Sequence, residues 1–368
     1  MEMDYSDGER INRYLDTRNA THLQGVALYG YTGGRRDDRD DKPEGFPGME
    51  NPAFRQAFVG EEHRFLAALR SLNETRPAET PRLHWFGFDI SLFPSVGYEE
   101  ARSVLDQHSQ DLMVQEILRR LNRVAGESRI EEAQRLEKLL EFLAAKSQGV
   151  EKILGEGDAR RLRRTVRQLA GTYRFCEAAK EGPRTMKWLH GLRDREAGMA
   201  SLMDEMLADL PSDAKVILMG HNLHLSKDSE EITVRPIGSP APTMWTSVGT
   251  HLARRYPEEI YSIWMLYDHG RHGTVLSPAG VEDLDSNPAA VEHLMAKAGS
   301  IFVLQLTSGD KRGPLHNEKC NFLQNGSIGS GLLPAQADAV FFVREVTEPR
   351  GQWTSGHSST RSSPRSSN

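Results

Sequence analysis

Lys215-Val216-Ile217-Leu218-Met219-Gly220-His221-Asn222-Leu223-His224-Leu225-Ser226-Lys227 reads as a buried strand that runs out into a loop. Four consecutive apolar residues and a glycine precede two histidines spaced H-x-x-H. In α/β proteins the end of a central strand is where ligand-binding groups collect, so both imidazoles are expected at the rim of the sheet. Imidazole loses its proton closest to neutral pH, which suits general-base chemistry without a large shift.

Working downstream, Ser247–Tyr256 reads as a helix, 260–267 as a strand, 291–298 as a helix, and 301–306 and 339–346 as strands. Helix alternating with strand predicts an α/β fold with a largely parallel sheet flanked by helices. Upstream, residues 83–92 form an aromatic-rich strand with Asp89 at its carboxyl end. Between about 98 and 210 every periodic segment has helical spacing, which predicts an inserted helical subdomain. Ile11, Tyr14 and Leu15 mark an early helix capped by Ser6 or Asp7, and Met1-Glu2-Met3 reads as the stub of a strand. Residues 31–52 are glycine, proline and charge, a surface loop. The domain is expected to end near 350, with 351–368 a disordered serine- and arginine-rich tail.

A net charge of −6 gives no electrostatic footprint for nucleic acid. The run Arg160-Arg161-Leu162-Arg163-Arg164 is local and reads as a solvated helix face. No apolar run approaches the roughly 18 residues of a membrane span, and no signal peptide opens the chain, so a cytoplasmic protein is expected. Cys176 and Cys320 cannot build a disulfide framework or a zinc site. Oligomeric state is silent in the sequence. His269 and His272, in Asp268-His269-Gly270-Arg271-His272-Gly273, follow a strand end and read as part of a solvated loop.

Several segments together resemble the erythromycin esterase family. Gly220-His221-Asn222-Leu223-His224 is similar to its A-H-N-x-H motif, and Arg193-Asp194-Arg195-Glu196-Ala197-Gly198-Met199-Ala200 to its R-D-x-x-M-A helix start. Ser247-Val248-Gly249-Thr250-His251-Leu252 with Arg255-Tyr256 resembles M-G-x-x-L…R-Y. Glu2-Met3-Asp4 with Asn12-Arg13-Tyr14 resembles E-A-D…N-R-Y, and Phe86-Gly87-Phe88-Asp89 a G-x-D strand end. The resemblance implies hydrolysis of an ester or macrolide lactone, a small-molecule substrate, and catalysis without metal or cofactor. By motif it places His221, His224, Glu2 and Arg193 in the catalytic set; Asp89, at its strand end, and Asn222, between the histidines, are the substrate-binding candidates. A Glu–His pair would take the proton from water, and a cation would stabilise the oxyanion.

The family's G-E-x-T-H-G motif, which carries its assigned general base, has no counterpart ahead of Glu2. Asn19-Ala20-Thr21-His22 is superficially similar but follows the acidic segment and lacks Gly-Glu. Two alternatives therefore stand beside the hydrolase. One is a truncated or catalytically impaired homologue that only binds ligand; the other is a metal-dependent hydrolase holding its ion with His221 and His224.

Overall fold

Amphipathic helices need an apolar partner, and here they find it mainly in each other. The computed structural model describes residues 2–17, 19–23, 26, 60–77, 79–90, 97–180, 185–235, 244–273, 281–307, 313–324 and 327–347. The expected loop at 31–52 and tail at 351–368 lie outside the described residues. Helices α1 (Tyr5–Thr17) and α2 (Gly60–Thr75) bury Ile11, Tyr14, Leu15 and Leu66 in a small core with Trp85. Then follow α3 (Gly97–Leu105), α4 (Leu112–Leu121), α5 (Arg129–Ala145), α6 (Ser147–Leu154), α7 (Glu156–Ala179) and α8 (Met186–Ala208).

The starts of these helices are legible chemically. Asp111 accepts from the N–H groups of Met113 and Val114, and Ser128 with Glu131 closes a capping box. Val104, Val114, Leu136, Leu139, Leu162, Val166 and Leu169 share one core. The arginine run on α7 is only partly solvated. Arg164 is buried, reaching Asp209 at 2.6 Å and the Glu205 carbonyl at 2.7 Å.

Three extended segments bring distant residues together. Glu2 N–H donates to Met219 O at 2.7 Å, and Asp89 N–H donates to Met3 O at 2.8 Å. Asp4 and Asp89 form a parallel bridge. Residues 2–4 thus lie between 83–90 and the segment that ends at Met219. That last segment is not the buried strand its composition suggests. Leu218 packs with Met203 and Val248, while Ile217 is 84% exposed, so one side meets the core and the other does not.

The described strands form two sheets. One has the order β1 (Thr233–Arg235), β6 (Ser327–Gly331), β5 (Cys320–Gln324) and is antiparallel throughout. The other has the order β3 (Val281–Leu284), β2 (Ile263–Gly273), β7 (Ala339–Val346), β4 (Ile301–Gln305). Among the described strands only β2 and β7 pair in parallel; β3 and β4 run antiparallel to their neighbours. Helices with sheets agree broadly with an α/β class, but a largely parallel sheet is not what these strands form. The reason lies in the connections: β2 to β3 and β5 to β6 return after a few residues, too few for a crossover helix. Helix α10 (Val291–Ala298) covers one face of the four-stranded sheet, its Val291 and Met295 packing on Trp264, Leu266, Val340 and Phe342.

Candidate active site

The turn after Gly220 decides where the imidazoles go. His224 N–H donates to His221 O at 3.0 Å, and Leu225 N–H to the same carbonyl at 3.3 Å. A single turn therefore separates the two residues, and their rings lie 6.0 Å apart, edge to face. Glycine at 220 lets a carboxylate pass, since a Cβ there would stand 2.9 Å from Glu2 Oε2.

Glu2 binds His221 twice. Its Oε2 accepts from the His221 backbone N–H at 2.6 Å, and both oxygens lie 2.9 Å from His221 Nδ1. A carboxylate only accepts, so Nδ1 is the nitrogen that donates, and Nε2 is the one turned away from Glu2. Among the described residues Nε2 has no hydrogen-bond partner, and the side chain is 36% exposed. Burial pushes the Glu2 carboxyl up, but His221, His224 and Arg195 outweigh it and hold Glu2 well below the usual carboxylate range.

His224 sits differently. Its Nδ1 meets Glu196, and its Nε2 lies 3.3 Å from Glu2 Oε1. Burial disfavours the imidazolium, yet the Glu196 and Glu2 charges prevail against it and against Arg195, lifting the pKa to about 9. His224 is therefore a cation at neutral pH, while His221 turns its Nε2 out of the cluster.

The remaining members come from α8. Thr185 caps this helix by accepting from Trp188 N–H. Arg195, Glu196, Met199, Met203 and Met206 are buried on it. Arg195 Nε donates to Asp89 Oδ1 at 2.9 Å and to Ile90 O at 2.8 Å. Its Nη2 reaches Asp89 at 2.6 Å and Glu2 at 3.4 Å, and its Nη1 lies 3.3 Å from His224 Nε2. Burial raises the Asp89 pKa, and the Arg195 charge only partly offsets it.

Glu196 also accepts from the first turn of α9 (Val248–Arg255), through Val248 N–H at 3.0 Å. Ser247 caps that helix by accepting from Thr250 N–H. Gly249 N–H donates to His224 O at 2.8 Å, and a Cβ on Gly249 would run into the Leu225 backbone. One helix start thus fixes both the carboxylate beside His224 and the backbone of His224 itself.

Of the residues expected from sequence, Glu2, Asp89, His221 and His224 come together here. Arg193 does not. Its side chain is 62% exposed and meets Asp194 at 3.5 Å. Two residues along an α-helix is a rotation of roughly 200°, so Arg193 faces away when Arg195 faces in. The guanidinium at the site is that of Arg195, and Glu196 is a further member that the sequence reading passed over. The spacing R-D-x-x-M-A, counted back from Met199-Ala200, lands on Arg195-Glu196 and was the available signal.

Asn222 points elsewhere. Its amide donates to Met265 O at 2.8 Å and accepts from Met265 N–H at 3.2 Å, pairing with the edge of β2 as a strand would. His22 lies on a short turn, Ala20–Leu23, where its electrostatic neighbours are Arg13, Arg10 and Glu100. His269 and His272 stand on β2, which runs to Gly273, and not in a loop. His269 binds Asp268 at 2.8 Å and lines an open cleft of about 550 Å³ with Arg271, Ser286 and Glu345. None of the Glu2–His221–His224 set lines that cleft.

Glu2, His221 and His224 can bring one ligand atom each within 4.8 Å of one another, the size of a metal site. The donor set fits a divalent ion poorly. Arg195 stands against two of the three, and His224 would first have to lose a tightly held proton.

No helix among the described residues is long and apolar enough to cross a membrane. Among curated proteins no relative matches the chain. A crystal structure of a succinoglycan biosynthesis protein is similar at a TM-score of 0.63 and 15% identity, covering 94% of this chain and 79% of that one. A mutant of the erythromycin esterase EreC in its open conformation is similar at a TM-score of 0.59 and 17% identity, covering 94% and 81%. At these identities the likeness is one of fold. The family model described as erythromycin esterase matches residues 1–346, and the chain belongs to that family.

Proposed function

We propose that the chain hydrolyses an ester or lactone by water that His221 activates. Membership of an esterase family supports a small-molecule ester substrate at the family level. The observation that carries the finer reading is the Glu2–His221 pair, with Nδ1 bound to the carboxylate and Nε2 open. Water bound at Nε2 loses its proton to the ring as its oxygen attacks the carbonyl carbon. Glu2, ionised well below neutrality, stabilises the imidazolium that forms, and the protonated ring can then return the proton to the leaving alkoxide. Arg195 and the His224 cation keep Glu2 ionised and in register. The Arg195 contacts lie within the buried cluster, so it acts on a developing oxyanion by potential and not by touch.

The test is turnover of a p-nitrophenyl ester and of a macrolide lactone, followed by mass spectrometry for addition of water. His221→Ala should lower kcat by about 10²–10⁴-fold, the usual worth of a positioned base. Turnover by the parent chain that survives His221→Ala would overturn the reading. Binding of the macrolide with no ring-opened product would instead favour a ligand-binding homologue. Because this donor set fits a divalent ion poorly, chelator should leave activity unchanged, and a metal-dependent hydrolase is the opposing outcome. Loss of activity in chelator, restored by zinc, would establish it.

A further inference from the structure

Register places the side chains of the four-stranded sheet on two faces. Trp264, Val340 and Leu304 point one way, as do Leu266, Phe342 and Phe302, and these pack in the core beneath α10. The rows between them point the other way: Met265 with Phe341 and Val303, and Tyr267 with Val343 and Ile301. Ile263 extends this second face, which holds no charged side chain in those rows. Ile263, Met265, Ile301 and Val303 are between 53% and 68% exposed. No described helix packs on them. A sheet face of this composition is built to be covered.

We infer that this face is where a second copy of the chain docks, sheet against sheet across a two-fold axis. Three observations support a second copy as the occupant. The face keeps one register over three adjacent strands, so a rotated copy presents the same rows and two such twisted faces can stack at about 10 Å as in a sandwich. The chain carries a net charge of −6, so two copies repel over most of their surfaces, and the uncharged rows are where approach costs least. The area is of the right order. About seven side chains at roughly 60–100 Å² each expose about 500 Å² per copy, near the low end of specific interfaces. That size fits a dimer forming in the micromolar range and not an obligate one.

Sedimentation of the 368-residue chain across the micromolar range tests this. The parent chain should pass from monomer to dimer, and Met265→Lys with Val303→Lys should raise the dimer Kd at least about 100-fold, because each copy would bury two unpaired charges. Leu294→Lys, an exposed position on α10, should leave the dimer intact. A parent chain that stays monomeric at high micromolar concentration overturns the inference, and so does a dimer that the double variant does not weaken. Should the double variant misfold, Val303→Cys supplies the second readout. Its maleimide labelling, localised by peptide mass, should be slow at high concentration and speed up on dilution; a rate independent of concentration counts against the dimer.

Discussion

Arg193 and Arg195 share a helix and differ in almost everything else. Arg193→Ala removes an exposed pair with Asp194 and should leave both stability and turnover within about twofold. Arg195→Met strips the counter-charge from Glu2 and Asp89 and should cost about 3–5 kcal/mol in urea unfolding, the typical penalty for orphaning a buried ion. His224 sets a pH window. Its folded pKa of about 9 lies above the ordinary histidine value, so its stabilising contribution is complete below about pH 6.5 and disappears as pH rises through 9. Glu2 works in the opposite sense, with a depressed pKa whose contribution is present above the ordinary carboxylate value and is lost as pH falls toward its own. The Tm of the chain should therefore fall on both sides of a plateau beginning near pH 5. In Glu196→Gln the alkaline descent should move to lower pH, which thermal scans from pH 5 to 10 would show.

At the scale of elements, α9 makes the site rigid through its first turn. Gly249→Ala would press a methyl group into the Leu225 backbone, and a cost of about 1–3 kcal/mol is expected, with kcat falling alongside stability. Much of this arrangement could be read from the chain. The helical spacing of α7 and α8, the strand at 339–346 and the H-x-x-H turn follow from periodicity and position. Other elements could not be read that way. Val216–Met219 is apolar in every position, so composition alone could not show that Ile217 lies on an uncovered side. The direction of β4 is set by tertiary pairing with β7, which leaves no local mark. The β5–β6 pairing does carry a local mark: Gln324 pairs with Ser327, and the sequence between them is Asn-Gly, the strongest short-range hairpin signal. At the site, Glu2 came only from resemblance, because a carboxylate 219 positions from its histidine has no spacing rule.

At the scale of the molecule, the two sheets are tied by α10. Glu292 on that helix accepts from Leu323 N–H of β5 at 2.9 Å, and its second oxygen is buried with no partner among the described residues. Burial lifts its pKa to about 7, so stability is lost as pH rises from the ordinary carboxylate value to about 7 and levels off above it. Glu292→Gln keeps an acceptor for Leu323 and should stabilise the chain at pH 8 while changing little at pH 5, as paired urea titrations would reveal. The buried cluster around Glu2 also gathers carboxyl groups away from solvent. Glu2, Asp89 and Glu196 set three carboxyl groups against the guanidinium of Arg195 and the imidazolium of His224, whose charge is lost as pH rises through 9. Carboxyl groups thus outnumber cations in this cluster, and the Nδ1 of His221 is a further donor turned toward Glu2. Folding itself therefore fixes the ring of His221 against its carboxylate, so whatever meets the outward nitrogen finds an orientation already chosen.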